Sequence, residues 1–180
     1  NAIIIAGQAI SVTGGDGGNV IQFVESEGLN TRTDVITGAG FDFITGHLSN
    51  AFIQTGDGLD TVDIIGNDNW FALYEGVAIA SVTGKNNALV SEGEADVLSV
   101  SGSFNGAYGQ GGDDVMSAHG YGNVLDGGEG NDVLTVSGEG SVASGENGND
   151  TLIAEKTDGY VILSGGLGDD TYIVCNYDAV

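Results

Sequence analysis

The sequence predicts an all-β fold: a right-handed parallel β-roll, a solenoid with 18-residue coils. Three observations predict it. A nine-residue motif of the form Gly-Gly-x-Gly-x-Asp-x-apolar-x recurs along the chain, most cleanly as Gly127-Gly128-Glu129-Gly130-Asn131-Asp132-Val133-Leu134-Thr135. The motif Asp residues fall at multiples of eighteen. The chain has 33 glycines and no proline, and no stretch places apolar residues at i, i+3, i+4 and i+7.

The motif copies set the coils. Near copies stand at Gly109 to Ser117, Gly145 to Ile153 and Gly165 to Ile173. Weaker ones stand at Thr37 to Thr45, Thr55 to Asp63 and Ser91 to Ser99. The faintest, Gly14 to Gln22, carries Asn19 in the Asp position. Asp42, Asp60, Asp96, Asp114, Asp132 and Asp150 are separated by 18, 36, 18, 18 and 18 residues. The gap falls at Ala78, where Leu73 to Ser81 has lost the motif. Asp170 follows Asp150 by 20, so two residues are inserted in the last coil.

A second column lies midway: Asn69, Asn87, Asn105 and Asn123, then Ser141. Each coil therefore has two unlike halves, one turning through a Gly-Asp loop and the other through an Asn loop. Two positions after each turn residue sits an apolar one: Ile44, Ile53, Val62, Phe71, Leu89, Leu98, Ala107, Met116, Leu125, Leu134, Ala143 and Leu152. In a short strand such a residue points inward and its neighbours point out. About ten coils stacked as parallel strands give a rod roughly 48 Å long. The Asn column is expected to form stacked amide ladders. Residues 1–36 read as irregular N-terminal coils and 37–180 as regular coils of one domain spanning 1–180.

Proline would remove a ladder donor from a stacked coil, so its absence agrees with this reading. Glycine costs a helix about 1 kcal/mol per residue. With 41% hydrophobic residues and a strict period, the chain is not an acidic disordered tail. Charge is the difficulty: 26 acidic residues stand against Arg32, Lys85 and Lys156, a formal charge of -23. Aligned Asp columns repel without a cation, so folding is expected to wait for one. A surface this acidic repels phosphate, which excludes nucleic acid as a partner. No apolar span is long enough to cross a bilayer, and membrane insertion is not expected. The chain opens on Asn1 without a signal peptide and is expected to be a fragment or processed product. Cys175 is alone and reads as a passive thiol.

Calcium takes six to eight oxygens at about 2.3–2.6 Å. A glycine-rich turn aims carbonyls at one point and the sixth-position Asp adds a carboxylate, so two stacked loops sandwich an ion. The predicted ligands are Asp42, Asp60, Asp96, Asp114, Asp132, Asp150 and Asp170, with backbone oxygens of Gly109, Gly111, Gly127, Glu129, Asn131, Gly145, Asn147, Gly165 and Leu167. The pair around Ala78 is expected to lack a site. Glu94, at a glycine position, is expected to weaken the loop Ser91 to Ser99, and the insertion counts against the pair Asp150–Asp170.

The motif resembles the RTX (repeats-in-toxin, haemolysin-type) calcium-binding repeat, and Gly165 to Val180, with Asp-Thr-Tyr-Ile-Val, resembles the closing segment of such arrays. The resemblance covers most of the chain from Thr37 onward. It implies a parallel β-roll, export in the unfolded state, and folding outside the cell on calcium. The family carries calcium loops on both sides of the roll. Here Ser101 to Asn105, His119 to Asn123 and Ser137 to Ser141 lack the Asp.

No catalytic site is expected. His47 and His119 read as exposed turn residues, and neither a His-Glu-x-x-His helix nor a Gly-x-Ser-x-Gly elbow is present. Val97, Val115 and Val133 should form an outward apolar stripe beside Ser99, Ser117 and Thr135, with Phe52, Trp70, Val124 and Val142 outward on the other side. Such stripes favour lateral contact. The leading expectation is therefore a calcium-binding structural module of a secreted or cell-surface protein that self-associates in a surface layer, fibre or adhesin. The alternative is the C-terminal secretion and folding module of a larger enzyme or toxin. A glycan- or ice-recognition surface ranks last, because the third loop positions (Ala39, Asp57, Gly93, Gly111, Glu129, Asn147, Leu167) form no regular array.

Overall fold

The computed structural model describes residues 2–5, 10–24, 32–155 and 159–175. Asn1, Lys156 and the tail 176–180 lie outside the described residues. Strands alternate between two sheets. The first half holds β1 (Ala2–Ile5), β2 (Ser11–Thr13), β3 (Asn19–Phe23), β4 (Thr33–Ile36), β5 (Asp42–His47), β6 (Ala51–Thr55), β7 (Gly58–Ile65), β8 (Trp70–Leu73) and β9 (Gly76–Lys85). The second holds β10 (Ala88–Ser91), β11 (Val97–Ser103), β12 (Gly106–Tyr108), β13 (Val115–Tyr121), β14 (Val124–Glu129), β15 (Val133–Ser137), β16 (Val142–Asn147), β17 (Thr151–Ala154), β18 (Ile162–Leu167) and β19 (Thr171–Val174).

Odd strands build a ten-stranded sheet and even strands a nine-stranded one, each in simple numerical order. Neighbouring strands pair in parallel, as in Val97↔Val115 and Leu125↔Ala143. The result is the parallel β-roll the period predicts. Among the described residues there is no helix, and hence none that could cross a membrane.

The spacing departs from eighteen at two places. Val20 pairs with Phe43 and Val12 with Val35, an offset of 23, yet Ala2 still pairs with Val20 at eighteen. The N-terminal coil thus keeps the ladder and takes up five extra residues between β3 and β4. Leu152 pairs with Tyr172, an offset of 20, and those two residues are absorbed between β17 and β18. The register of the described strands on either side of both insertions is intact.

The inward column is buried throughout. Ile44, Ile53, Phe71, Leu89, Leu98, Leu125, Leu134 and Leu152 are at most 1% exposed. The longer strands of the first sheet add a second inward row, Ile64, Val82, Val100, Ala118 and Val136. Each buried Leu or Ile contributes about 1.5–3 kcal/mol, but a coil has few of them, so stability resides in contacts between neighbours. At the C-terminal end Tyr172 and Val174 continue the inward rows and are exposed. Cys175, partly buried, donates its N–H to Ala154 O at 2.9 Å.

The predicted outward stripes are in register. Val97 and Val115 are exposed beside Val133, and Ser117 Oγ donates to Ser99 Oγ at 3.0 Å. Phe52 pairs with Trp70 and Val124 with Val142 on the second sheet, with Trp70 51% exposed.

Leu125→Ala should cost about 2–5 kcal/mol, since a thin core cannot collapse around the hole. Urea unfolding of the folded chain measures this. A change below about 1 kcal/mol would mean the inward column is not close-packed.

Candidate metal centre

The Gly-Asp turns stack at contact distance. The fourth motif position has positive φ at Gly112, Gly130 and Gly148. A Cβ on Gly130 would strike Gly112 O, and one on Gly148 would strike Gly130 O. The N–H of each fourth position donates to the third-position carbonyl of the next coil: Gly112 to Glu129 at 2.9 Å, Gly130 to Asn147 at 2.9 Å, Gly148 to Leu167 at 2.8 Å. The third-position side chains face outward. Leu167 is 74% exposed, and Asn147 Nδ2 donates to Glu129 Oε1 at 2.7 Å.

The sixth position forms a ladder inside the roll. The N–H groups of Asp42, Ala78, Asp96, Asp114 and Asp132 donate to Oδ1 of Asp60, Asp96, Asp114, Asp132 and Asp150, at 2.6 to 3.0 Å. Asn19 N donates in the same way to Asp42 Oδ1 at 2.8 Å. Asp150 N reaches Asp170 Oδ1 at 3.1 Å, so the two-residue insertion leaves this pair in register. Glu94 likewise leaves the Asp96 links in place. The fifth position forms a second ladder of opposite sense. Asn131 N donates to Asp113 Oδ1 at 2.7 Å, Asn149 N to Asn131 Oδ1 at 3.0 Å, and Asp169 N to Asn149 Oδ1 at 2.8 Å. In the turns at Asn131-Asp132 and Asn149-Asp150 two adjacent amides are thus satisfied from opposite neighbours, as buried or stacked backbone requires.

The other carboxylate oxygen has no such partner. Oδ2 of Asp42, Asp96, Asp114, Asp132 and Asp150 is buried without a hydrogen bond. In the regular coils these oxygens rest on first-position glycines. A Cβ on Gly109, Gly127, Gly145 or Gly165 would collide with Oδ2 of Asp114, Asp132, Asp150 or Asp170. The same Cβ on Gly109 would lie 2.8 Å from Gly127 O, and on Gly145 2.7 Å from Gly165 O. Carboxylate and carbonyl oxygens therefore converge with no donor between them. Desolvation is the main cause that pushes Asp114 up to about 7 and Asp132 up to about 6, reinforced by neighbouring Asp residues and opposed by the amide each accepts. Burial also raises Asp60, Asp96 and Asp150.

The coils differ at the first position. Thr37, Thr55 and Ser91 stand there in the earlier loops, all buried. At the gap, Leu73 takes the first position and Ala78 the sixth, both buried. An apolar side chain fills the room that carboxylate and glycine share elsewhere, and the sixth position carries no carboxylate of its own. Among the described residues no three His, Cys, Asp or Glu side chains surround one point. A cation here would be held mostly by backbone oxygens, with one carboxylate from each coil.

The opposite turns carry the expected amide ladder. Asn69 Nδ2 donates to Asn87 Oδ1 at 2.9 Å, Asn87 to Asn105 at 3.0 Å, and Asn105 to Asn123 at 3.2 Å. Ser141 ends it by accepting Asn123 N at 3.2 Å. His47 and His119 are exposed, at the last residue of β5 and inside β13.

Sequence reasoning did not foresee that Oδ1 is consumed by the backbone ladder, nor what Asn19 does. Its Nδ2 donates to Gly15 O at 3.0 Å, Gly17 O at 2.9 Å and Asp42 Oδ1 at 2.8 Å. Those carbonyls belong to the second and fourth positions of its own loop. The available signal was the Asn/Asp exchange at a position held by Asp in all the other loops but the Ala78 one. No protein-family model, curated protein or solved structure matches the chain.

With divalent ions chelated, the roll should hold more strand at about pH 4–5 than at about pH 8. Asp114 and Asp132 have folded values raised from 3.8 to about 7 and about 6, so the fold binds more protons than the unfolded chain. Their contribution is fully present below the unfolded value and is lost as pH rises through the folded ones. Circular dichroism across that range in chelator checks the sign, and more strand at the alkaline end would contradict it.

Proposed function

We propose that this chain is a calcium-binding structural β-roll module of a secreted or cell-surface protein, without catalytic activity, that folds on calcium binding and packs against copies of itself. The observation that carries the reading is the row of buried motif carboxylates: Asp42, Asp96, Asp114, Asp132 and Asp150 each hold one oxygen without a donor, and at Asp114 and Asp150 a backbone oxygen of the next coil lies close by. A donor set made only of carboxylate and carbonyl oxygen suits a hard cation, and flexible loops suit calcium better than the strict octahedron of magnesium. Asp42, Asp60, Asp96, Asp114, Asp132, Asp150 and Asp170 would supply the carboxylates. The carbonyls would come from Gly109, Gly111, Gly127, Glu129, Asn131, Gly145, Asn147, Gly165 and Leu167. Bound calcium would neutralise columns that otherwise concentrate much of a -23 charge.

The resemblance to RTX repeats supports the extracellular setting, where calcium is plentiful and the exported chain meets it unfolded. The acidic surface supports a role without nucleic-acid partners and without insertion into membranes. Self-association draws support from the outer face of the ten-stranded sheet. Val20, Phe43, Ile79, Val97 and Val115 are 44–50% exposed and lie in one register column, an apolar stripe on an acidic protein that only Thr61 interrupts. A surface layer, a fibre or an adhesin would use such a face. The likeness of Gly165 to Val180 to a closing segment favours a second reading, the C-terminal secretion and folding module of a larger secreted enzyme or toxin.

Calorimetric titration should find several calcium ions per chain, and Asp132→Ala should weaken two adjacent sites together, because Asp132 faces both neighbouring coils. Unchanged stoichiometry and midpoint in that variant would overturn the assignment. Electron microscopy with calcium separates the two readings: regular fibres or sheets support assembly, and monodisperse single particles support the secretion module.

A further inference from the structure

We infer that an asparagine at the sixth loop position takes the place of the cation, so that the Asn19 loop and the whole Asn69–Asn123 column close without metal while the aspartate column does not. This rests on the calcium reading above and states which turns need the ion and why. Asn19 and Asp114 occupy the same place in the fold. Each donates its N–H to Oδ1 of the next sixth-position Asp at 2.8 Å. Each rests its second terminal atom on a first-position glycine: Asn19 Nδ2 lies 2.8 Å from where a Cβ of Gly14 would be, and Asp114 Oδ2 crowds the same point on Gly109.

The atoms differ in sign. Asn19 Nδ2 is a donor, and three oxygens gather around it. On the opposite side, Asn105 Nδ2 does the same, donating to Gly84 O at 3.1 Å, Ser101 O at 3.2 Å and Asn123 Oδ1 at 3.2 Å. In Asp114, Asp132 and Asp150 the equivalent atom is an acceptor that finds no donor. An amide and a carboxylate have nearly the same shape, so the exchange alters charge and donor count and leaves packing alone. The NH₂ group supplies the positive end that the carboxylate column must take from solution.

Two reciprocal variants test this. In the full chain, Asp96→Asn, Asp114→Asn, Asp132→Asn and Asp150→Asn are combined, and in a second protein Asn19→Asp is made alone. Far-ultraviolet circular dichroism is recorded in excess EGTA and in calcium, and calcium stoichiometry is measured by calorimetry. The combined variant should keep its strand signal in EGTA where the parent loses it, and should bind fewer ions. Asn19→Asp should bind one ion more than the parent. A combined variant without strand signal in EGTA, or an Asn19→Asp protein with unaltered stoichiometry, would overturn the inference. A parent that keeps full strand signal in EGTA would instead remove the calcium reading itself, a result read from the parent alone.

Discussion

The structure depends on what stands opposite one buried oxygen. Stacking identical coils places the same atom of the same residue above itself, coil after coil, so a favourable contact is multiplied and so is an unfavourable one. Five motif carboxylates bury an oxygen with no donor. An unsatisfied buried polar group costs about 1–3 kcal/mol, and more when charged. Five of them approach or exceed the roughly 5–15 kcal/mol of net stability that a domain has. The inward Leu and Ile residues, few per coil, do not leave that margin spare. The proposed reading puts something positive in that place: a proton, an amide or a metal ion. Under the proposed reading it is calcium at neutral pH.

The two sides of the roll solve one geometric problem with different chemistry. Both need a side-chain oxygen to accept the buried N–H of the preceding coil, and both obtain it from the sixth position. Asparagine brings its own donor for the remaining oxygens. Aspartate leaves them facing one another. Under the proposed reading, a coil built from one half of each kind is committed on one side and conditional on the other. Leu73 and Ala78 represent a third solution, an apolar plug with no charge to neutralise. The outer faces carry a separate message: their aligned Val, Ile and Phe residues are a property of the finished roll and exist only when the coils are stacked.

Much of this was legible in the residues, and for a physical reason. A solenoid repeats its contacts at a fixed interval, so period alone places Leu98 over Met116 and Leu125 over Ala143, and those side chains are buried where the period puts them. The asparagine ladder was legible likewise, because like residues eighteen apart must stack. Hydrogen-bond direction was not. Nothing in Asp113-Asp114 says that the first accepts from the coil after it and the second from the coil before. By spacing alone the insertion before Asp170 counts against that pair, since spacing along the chain does not reveal which turn absorbs extra residues. The structure places it between β17 and β18, away from the Asp column. In the sequence Asn19 is only the Asn in the Asp position of the faintest motif copy, and its significance lies in the three oxygens around its amide.

The most direct test follows amide hydrogen exchange, by mass spectrometry, in peptides spanning Gly127 to Asp132 and Gly145 to Asp150. With calcium present, the sixth-position amides should be protected for the lifetime of the ladder. After transfer to excess chelator at neutral pH that protection should vanish. Equal protection of these turns with and without calcium would show that the carboxylate column closes unaided, and would contradict the account.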